Sequence, residues 1–529
     1  MLHLNRDTAY AFKGLIFRAL FVTNGQPIQR ETEMRPLVLA TLASALLMAG
    51  GSFAGADPTG TFRHAHNVGF GAHSSLDPAS KGRVLQIIEK IQSRLVRPGR
   101  GGKPASDLAM RWEPDETGTI WTFHLRDNVR FHDGSALDAD DVVYSLKRVI
   151  DPDQGSPARA AVKMIETVEA LDRLTVRMTL ASTFADLPLQ LMDPRLRIIP
   201  DGSGESVAQS GIGTGPFRVE KFDPDGITIL TANEEYWEGP PALARIEVIG
   251  VPDAQARLQA FLSGQLDMER GIVPILRRAL DRSLRYQLLE IPTGNWMGLI
   301  FRTDVPPFDD PRVRLAMRLS VDRNEMLKLA LDGGGVVSCD TPVAPNDQYR
   351  ADMTCPRDVE RARALLAEAG YPDGVDIEVN VSSLDQSWPL MGVTFQDQAA
   401  DAGIRVKLVN AAADGYWSNV WMKKDAFTTS WGERPADQAL NEAFHSTAKW
   451  NESHYHNAEF DALLAKARAE LDFTKRRALY VAAQEKLRET SGSLIPFHVT
   501  QLVVLSNRVT HFDPVPNDAL RWHLVSVAD

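Results

Sequence analysis

"VDIEVNV" at residues 375–381 and "IRVKLV" at 404–409 decide the fold class, because in both stretches apolar residues alternate with charged or polar ones. A period of two marks a strand with one face buried. The stretch between them is long enough for a helix, and two neighbouring strands joined by a helix run parallel. The unit is βαβ, and it places the chain in the α/β class.

Working outward, the same kinds of signal recur. In "TIWTFHLR", Trp121, Phe123 and Leu125 alternate with Thr122, His124 and Arg126, a half-buried strand. After the turn "HDGSAL", Asp138 is a helix N-cap with Asp141 three residues on, and Val142, Val143, Leu146, Val149 and Ile150 form one face that Pro152 ends. "ARIEVIGV" predicts a strand, and "DAQARLQAFLSG" a helix capped by Asp253 and closed by Gly264. Two long helices are predicted near Ala458–Leu471 and Lys475–Glu489, the first with Phe460, Leu463, Leu464, Ala467 and Leu471 on its apolar stripe.

With 529 residues the chain exceeds what one hydrophobic core can serve, so at least two lobes are expected. A net charge of -11 with no basic block argues against nucleic acid or an anionic membrane as partner. "MRPLVLATLASALLMAGGSFAGA" (34–56) has a basic start, an apolar run from Leu37 to Met48 and small residues at Ala54 and Ala56, the pattern of a cleaved signal peptide. Residues 1–33 read as a mis-called N-terminal extension, with Met34 as an alternative start. The only cysteines are Cys339 and Cys355, so no lipid anchor follows the apolar run, and a periplasmic location is expected. In that oxidising compartment the two cysteines either close a loop, which would stabilise by roughly 3 kcal/mol, or stay as two thiols.

Seven blocks carry a resemblance. They include "SLDPAS" from Ser75, "WTFHLRDNVRFHDGSALDADDVVYSLKRVIDP" from Trp121, "GTGPFRVEKFDPDG" from Gly213 and "NEEYWEGPPALARIEVIGVPDAQARLQAFLSGQLDM" from Asn233. The later ones are "PPFDDPRVRLAMRLSVDR" from Pro306, "ERARALLAEAGYPDG" from Glu360 and "FDALLAKARAELDFTKRRALYVAAQEKL" from Phe460. In this order the chain resembles the family 5 extracellular solute-binding proteins that serve dipeptide, oligopeptide, nickel and opine ABC importers. The resemblance implies a bilobed periplasmic binding protein of type II, in the large cluster with an extra subdomain in lobe I, and a ligand cleft between the lobes. It places lobe I at 57–292 plus 500–529, the subdomain at about 105–205 and lobe II at 293–499, with crossings near Thr293 and Thr500. The implied partners are a small-molecule ligand and an inner-membrane ABC permease, with the protein a monomer.

The same resemblance directs attention to "SWGERPAD" (430–437). In peptide-binding members a "GW" segment at this point leads into an aspartate that holds the ligand's ammonium. Here Trp431 is followed by Gly432, Glu433 and Arg434, so the acid is shifted to Glu433 or Asp437 or replaced by Arg434. An arginine fork suits a carboxylate or phosphate. The ligand expected is therefore compact and carboxylate-bearing: a short peptide, an opine-like conjugate or an anionic chelate. The competing reading pairs Arg434 with Glu433 or Asp437 on the surface. Trp296, Trp388, Tyr416 and Trp417 are candidate aromatic walls, each of the last three also a candidate core residue. Arg302 is either a second cleft cation or a partner of Asp304.

Chemistry beyond binding finds little support in the residues. His132 and Asp133 in "FHDG" fit a turn, and nothing supplies a nucleophile or an orienting third group. "GTGPF" lacks the Gly-Lys-Ser/Thr of a phosphate loop. His454 and His456 with Glu452 or His445 could in principle ligate a metal, but an H-x-H pair on one strand diverges; no metal and no cofactor are expected. The rival readings are nickel or haem-type cargo, and, from other classes, a periplasmic hydrolase or a chaperone-like protein.

Overall fold

The computed structural model describes residues 57–67, 73–272, 276–280, 285–515, 518–519 and 521–528, and these belong to one compact unit, Ala56–Asp529. The expected signal segment and N-terminal extension lie outside the described residues.

An eleven-stranded sheet organises the chain. Its strands are β1 (Thr59–His66), β2 (Phe217–Lys221), β3 (Ile227–Ala232), β4 (Leu243–Gly250), β5 (Met268–Ile272), β6 (Tyr286–Phe301), β7 (Gly335–Val337), β8 (Val375–Ser382), β9 (Ile404–Ala411), β10 (Ala426–Trp431) and β11 (Ser493–Ser506). Across the sheet the order is β9-β8-β10-β6-β11-β5-β1-β4-β3-β2, with β7 added on β11. The helices that matter here are α1 (Leu85–Ile91), α2 (Ala139–Ile150), α3 (Ala254–Leu262), α4 (Ser387–Ala400), α5 (Ala436–Phe444), α6 (Ala458–Ala469) and α7 (Phe473–Thr490).

The βαβ unit read from the sequence is β8-α4-β9, parallel from Val375↔Ile404 to Ser382↔Ala411. Burial follows the period of two at first, with Val375, Ile377 and Val379 inside and Asp376 and Glu378 outside. From Asn380 onward both faces are covered, as in a parallel strand flanked by other layers. Asp138 caps α2 reciprocally with Asp141, and Val142, Leu146 and Val149 are buried. Asp253 caps α3 through the Ala256 amide at 2.7 Å. The stripe of α6 is shorter than its sequence pattern: Phe460, Leu464 and Ala467 are fully buried, but the helix ends at Ala469 and Leu471 lies beyond it, 38% exposed.

Strands β6 and β11 are the longest and pair along their whole length. One half of the pair faces β5, while the other half of β6 pairs with β10. Their register breaks between Pro292↔Thr500 and Trp296↔His498. At the break the Thr293 hydroxyl donates to the Val499 carbonyl at 2.6 Å and accepts from the Asn295 amide at 3.1 Å. His498 is buried at the same place with its ring nitrogens against the carbonyls of Gly294 and Thr341, and burial pushes its pKa down to about 3, so the ring is neutral.

A separate four-stranded antiparallel sheet, Ala109–Pro114, Ile120–Leu125, Thr175–Leu180 and Ile165–Asp172 in spatial order, packs on α2 around its own core. The segment after it meets the α5–α7 helices through a polar joint. The Tyr349 hydroxyl donates to Asp186 Oδ1 at 2.7 Å, and Arg476 Nε lies 3.2 Å from the same oxygen. Next to it Arg468 grips Asp437 with two bonds of 2.7 and 2.8 Å, and the Tyr480 hydroxyl adds a third at 3.0 Å. Leu189 from the same segment is packed among Tyr349, Leu440 and Leu464. Cys339 and Cys355 are joined in a disulfide.

Candidate functional site

The Thr293–Asn295 break in β6 holds the loop that follows β10. Glu433 Oε2 accepts the Gly294 amide at 2.9 Å, and the Glu433 amide donates to Asn295 Oδ1 at 2.8 Å. A side chain at Gly294 would run into Glu433, since a Cβ there would lie 2.6 Å from the Glu433 Cγ. The glycine lets strand and loop approach this closely. Glu433 and Arg434 thereby reach the wall of a cavity of about 960 Å³.

Opposite walls of this cavity come from distant parts of the chain. Residues of the 57–292 stretch supply Arg83, Glu89, Arg94, Asp193, Arg195, Arg197, Arg257 and Arg270, while Asp347, Glu433 and Arg434 come from the 293–499 stretch; Arg100 and Asp513 complete the charged lining. Eight arginines thus face five carboxylates. Two of these acids are themselves pushed towards neutrality by burial. Asp347, which accepts the amides of Tyr349 and Ala436, has its pKa raised to about 6; that of Glu433 is raised by the same cause and further by Asp347. Among the lining side chains, arginines outnumber acids.

The arginines are held in place before any ligand arrives. Arg195 chelates Asp193 and donates to the Pro157 carbonyl at 2.8 Å. Arg197 donates to the carbonyls of Pro194 and Gln92, and Arg94 to that of Met192. Arg434 donates to the carbonyls of Gly432 and Glu433 at 3.3 and 3.0 Å, and its Nε lies 3.5 Å from Glu442 Oε2. Neither partner expected of Arg434 takes it: the Glu433 carboxylate turns to Gly294, and Asp437 belongs to Arg468 and Tyr480 in the buried joint.

The other residues singled out from the sequence sit elsewhere. Trp296 is buried, stacked on Trp431 with centroids 6.0 Å apart and on Phe444 at 6.4 Å, because β6 and β10 pair it directly with Trp431. Trp431 is half-buried in the same stack, against Trp450. Trp388 and Tyr416 are core residues, the Tyr416 hydroxyl donating to the Thr428 carbonyl at 2.7 Å. Trp417 is 48% exposed on the outer face of that cluster. Arg302 is committed to Asp304 by bonds of 3.0 and 2.7 Å. None of these six lines the cavity. His454 also bonds Asp304, His445 bonds Thr447, and Glu452 is buried beneath Trp421 and Thr429; among the described residues no three His, Cys, Asp or Glu side chains converge as a metal set.

Sequence reasoning passed over Arg83, Arg195, Arg257, Arg270 and Asp347. They come from separate segments, and no local period reports their convergence. "DPRLR" at 193–197, two arginines beside an acid between prolines and turns, is the one local pattern that could have drawn attention.

The description "Bacterial extracellular solute-binding proteins, family 5 Middle" matches residues 103–452. Heme-binding protein A of Haemophilus influenzae is 28% identical over 484 residues, covering 83% of this chain and 87% of that protein. The glutathione-binding protein GsiB of Pectobacterium atrosepticum is 27% identical over 468 residues, covering 84% and 90%. Among solved structures, HbpA2 of Haemophilus parasuis superposes with a TM-score of 0.77 at 26% identity, over 89% of this chain and all of that one.

Proposed function

We propose, from the premise that this chain belongs to the family 5 bacterial extracellular solute-binding proteins, that its cavity captures a compact, net-negative ligand through a carboxylate held at Arg434. The family binds small molecules for ABC importers and is not a family of enzymes. A short peptide, a glutathione-type or opine-like conjugate and an anionic chelate all fit this description. The observation that carries the reading is the excess of eight arginines over five carboxylates in one cavity, with two of those acids pushed towards neutrality. Desolvated cations need fixed opposite charge, and the ligand supplies it.

In this reading lobe I comprises 57–292 plus 500–529, lobe II comprises 293–499, and the chain crosses between them near Thr293 and Thr500. Glu433 and Arg434 sit beside the first crossing, so a ligand touching them senses the relative position of the lobes. Closure around the ligand presents the loaded form to an inner-membrane permease. The protein works as a periplasmic monomer, delivered by the signal peptide at 34–56.

Native mass spectrometry of freshly purified protein, followed by thermal-shift screening of glutathione, opines, unmodified peptides and metal chelates, tests this. A ligand that binds the native state raises the melting midpoint by mass action. Stabilisation by carboxylate-bearing compounds that is lost in Arg434→Gln supports the reading. Stabilisation only by compounds with blocked carboxylates would overturn it.

A further inference from the structure

We infer that the cavity contains a second anion subsite, built from Arg257, Arg270 and Gly271, so that the ligand carries two carboxylates and spans between this end and the Arg83–Arg195–Arg434 end. The inference rests on the cavity being the ligand site.

Arg257 lies on α3 and is 8% exposed. Its Nε donates to Glu269 Oε1 at 3.0 Å and its Nη1 to the carbonyls of Val251 and Pro252 at 2.9 and 3.0 Å. These three bonds fix the guanidinium plane. Its Nη2 has no hydrogen-bond partner among the described residues, and it points past Gly271, whose Cβ, were there one, would lie 3.7 Å away. Gly271 sits at the register shift of β5 against β11 with φ of +101°, a conformation open to glycine and strained for other residues. The bulge therefore does two things: it removes a side chain from in front of Nη2, and it aims Arg270 at the same cavity, where Glu89 steadies it at 3.0 Å. A charged donor group that is mostly buried, rigidly held and left with one free edge on a cavity is a preorganised acceptor site for a carboxylate. The acid beside it offsets it incompletely, since burial holds the Glu269 pKa up to about 7.

The spacing follows from α1. Arg83, Gln86 and Glu89 line the cavity at intervals of three, one face of the helix and its entry. Arg83 marks one end with Arg195, and Glu89 marks the other with Arg270. Arg83 precedes the helix, and the four helical steps from Leu85 to Glu89 alone add about 6 Å between the two ends. Two carboxylates on one ligand must therefore be set well apart to reach both, as at the two ends of a tripeptide-sized molecule.

Isothermal titration with two probes tests the inference: glutathione, which carries two carboxylates, and its glycine monoethyl ester, which keeps one. Wild-type protein is expected to bind glutathione at least tenfold more tightly than the ester. Gly271→Ala sets a methyl beside Nη2 and strains the bulge at φ +101°, and should reduce that ratio to twofold or less; Arg257→Gln should do the same with the backbone intact, and Arg257→Lys should restore part of it. A wild-type ratio near one, with both probes still bound and both weakened by Arg434→Gln, would overturn the second subsite and leave the proposed function standing. A wild-type ratio unchanged in both Gly271→Ala and Arg257→Gln would also overturn it. Binding of neither probe would remove the inference together with its assignment of glutathione-sized dicarboxylates.

Discussion

The cavity and the polar joint around Asp186 and Asp437 use the same side chains to opposite ends. In the joint, the Asp437 carboxylate accepts four hydrogen bonds, from Arg468, Tyr480 and Asn441, and Tyr349 and Arg476 both serve Asp186 within apolar surroundings. Both carboxyl groups are buried there, and each has its donors within the protein. In the cavity, arginines outnumber the lining acids, and guanidiniums such as those of Arg195 and Arg257 are oriented by a carboxylate and by backbone carbonyls while still bordering open space. Arginine–carboxylate density thus says little by itself. What separates a structural joint from a receptor is whether the paired groups border a cavity.

Four substitutions probe this contrast. The largest effect is expected from Asp437→Ala, which takes the acceptor from Arg468, Tyr480 and Asn441; four hydrogen bonds at about 1 kcal/mol each give a loss of about 3–5 kcal/mol in urea denaturation. Ligand affinity of the folded fraction should stay within twofold.

Next comes the pH dependence of the joint. Burial pushes the Asp186 pKa up to about 7, against the opposing pull of Arg476 and Tyr349. An unfolded chain releases that proton near pH 4. Between about pH 4 and 7 the folded form therefore binds more protons than the unfolded one, and stability falls as pH rises through this window. Asp186→Asn removes this slope. Its stability relative to wild type should grow between pH 4.5 and 8 by on the order of 2–4 kcal/mol, read from denaturation midpoints. A flat difference would show that Arg476 and Tyr349 hold Asp186 ionised throughout.

In the cavity the expected pattern is reversed. Arg434→Gln should weaken a carboxylate-bearing ligand by about 10–100-fold, the range of one charged hydrogen bond, while shifting stability by less than about 0.5 kcal/mol. An equal loss of stability would make Arg434 a structural residue paired to Glu442. The smallest effect is expected at Trp417, exposed on the far side of the Trp388 cluster. Trp417→Ala should leave ligand affinity within twofold, and a larger change would move the site away from the arginine-lined cavity.

Much of the scaffold was legible because its signals are local. The alternation in 375–381 and 404–409, the Asp138–Asp141 cap and the Asp253 cap each depend on neighbours a few residues apart, and each is found in place. The aromatic residues misled for an equally physical reason. Trp296, Trp388 and Tyr416 are large apolar side chains on ordered elements, and burial in a core removes more of their surface from water than a cleft wall does. The sequence marked Glu433 and Arg434 because a familiar segment changed its charges there. It could not mark Arg257, because that residue's meaning lies in one unoccupied edge opposite a glycine on another strand.

Read alone, the sequence determined the α/β class, the family and the segments that make strands and helices, since these follow from periodicity, capping and motif order within short spans. The tertiary structure decided which arginines share a cavity, which carboxylates are matched inside the protein and which ring is wall or core. Those are properties of convergence across hundreds of residues, fixed by how β6 and β11 bring separate segments together.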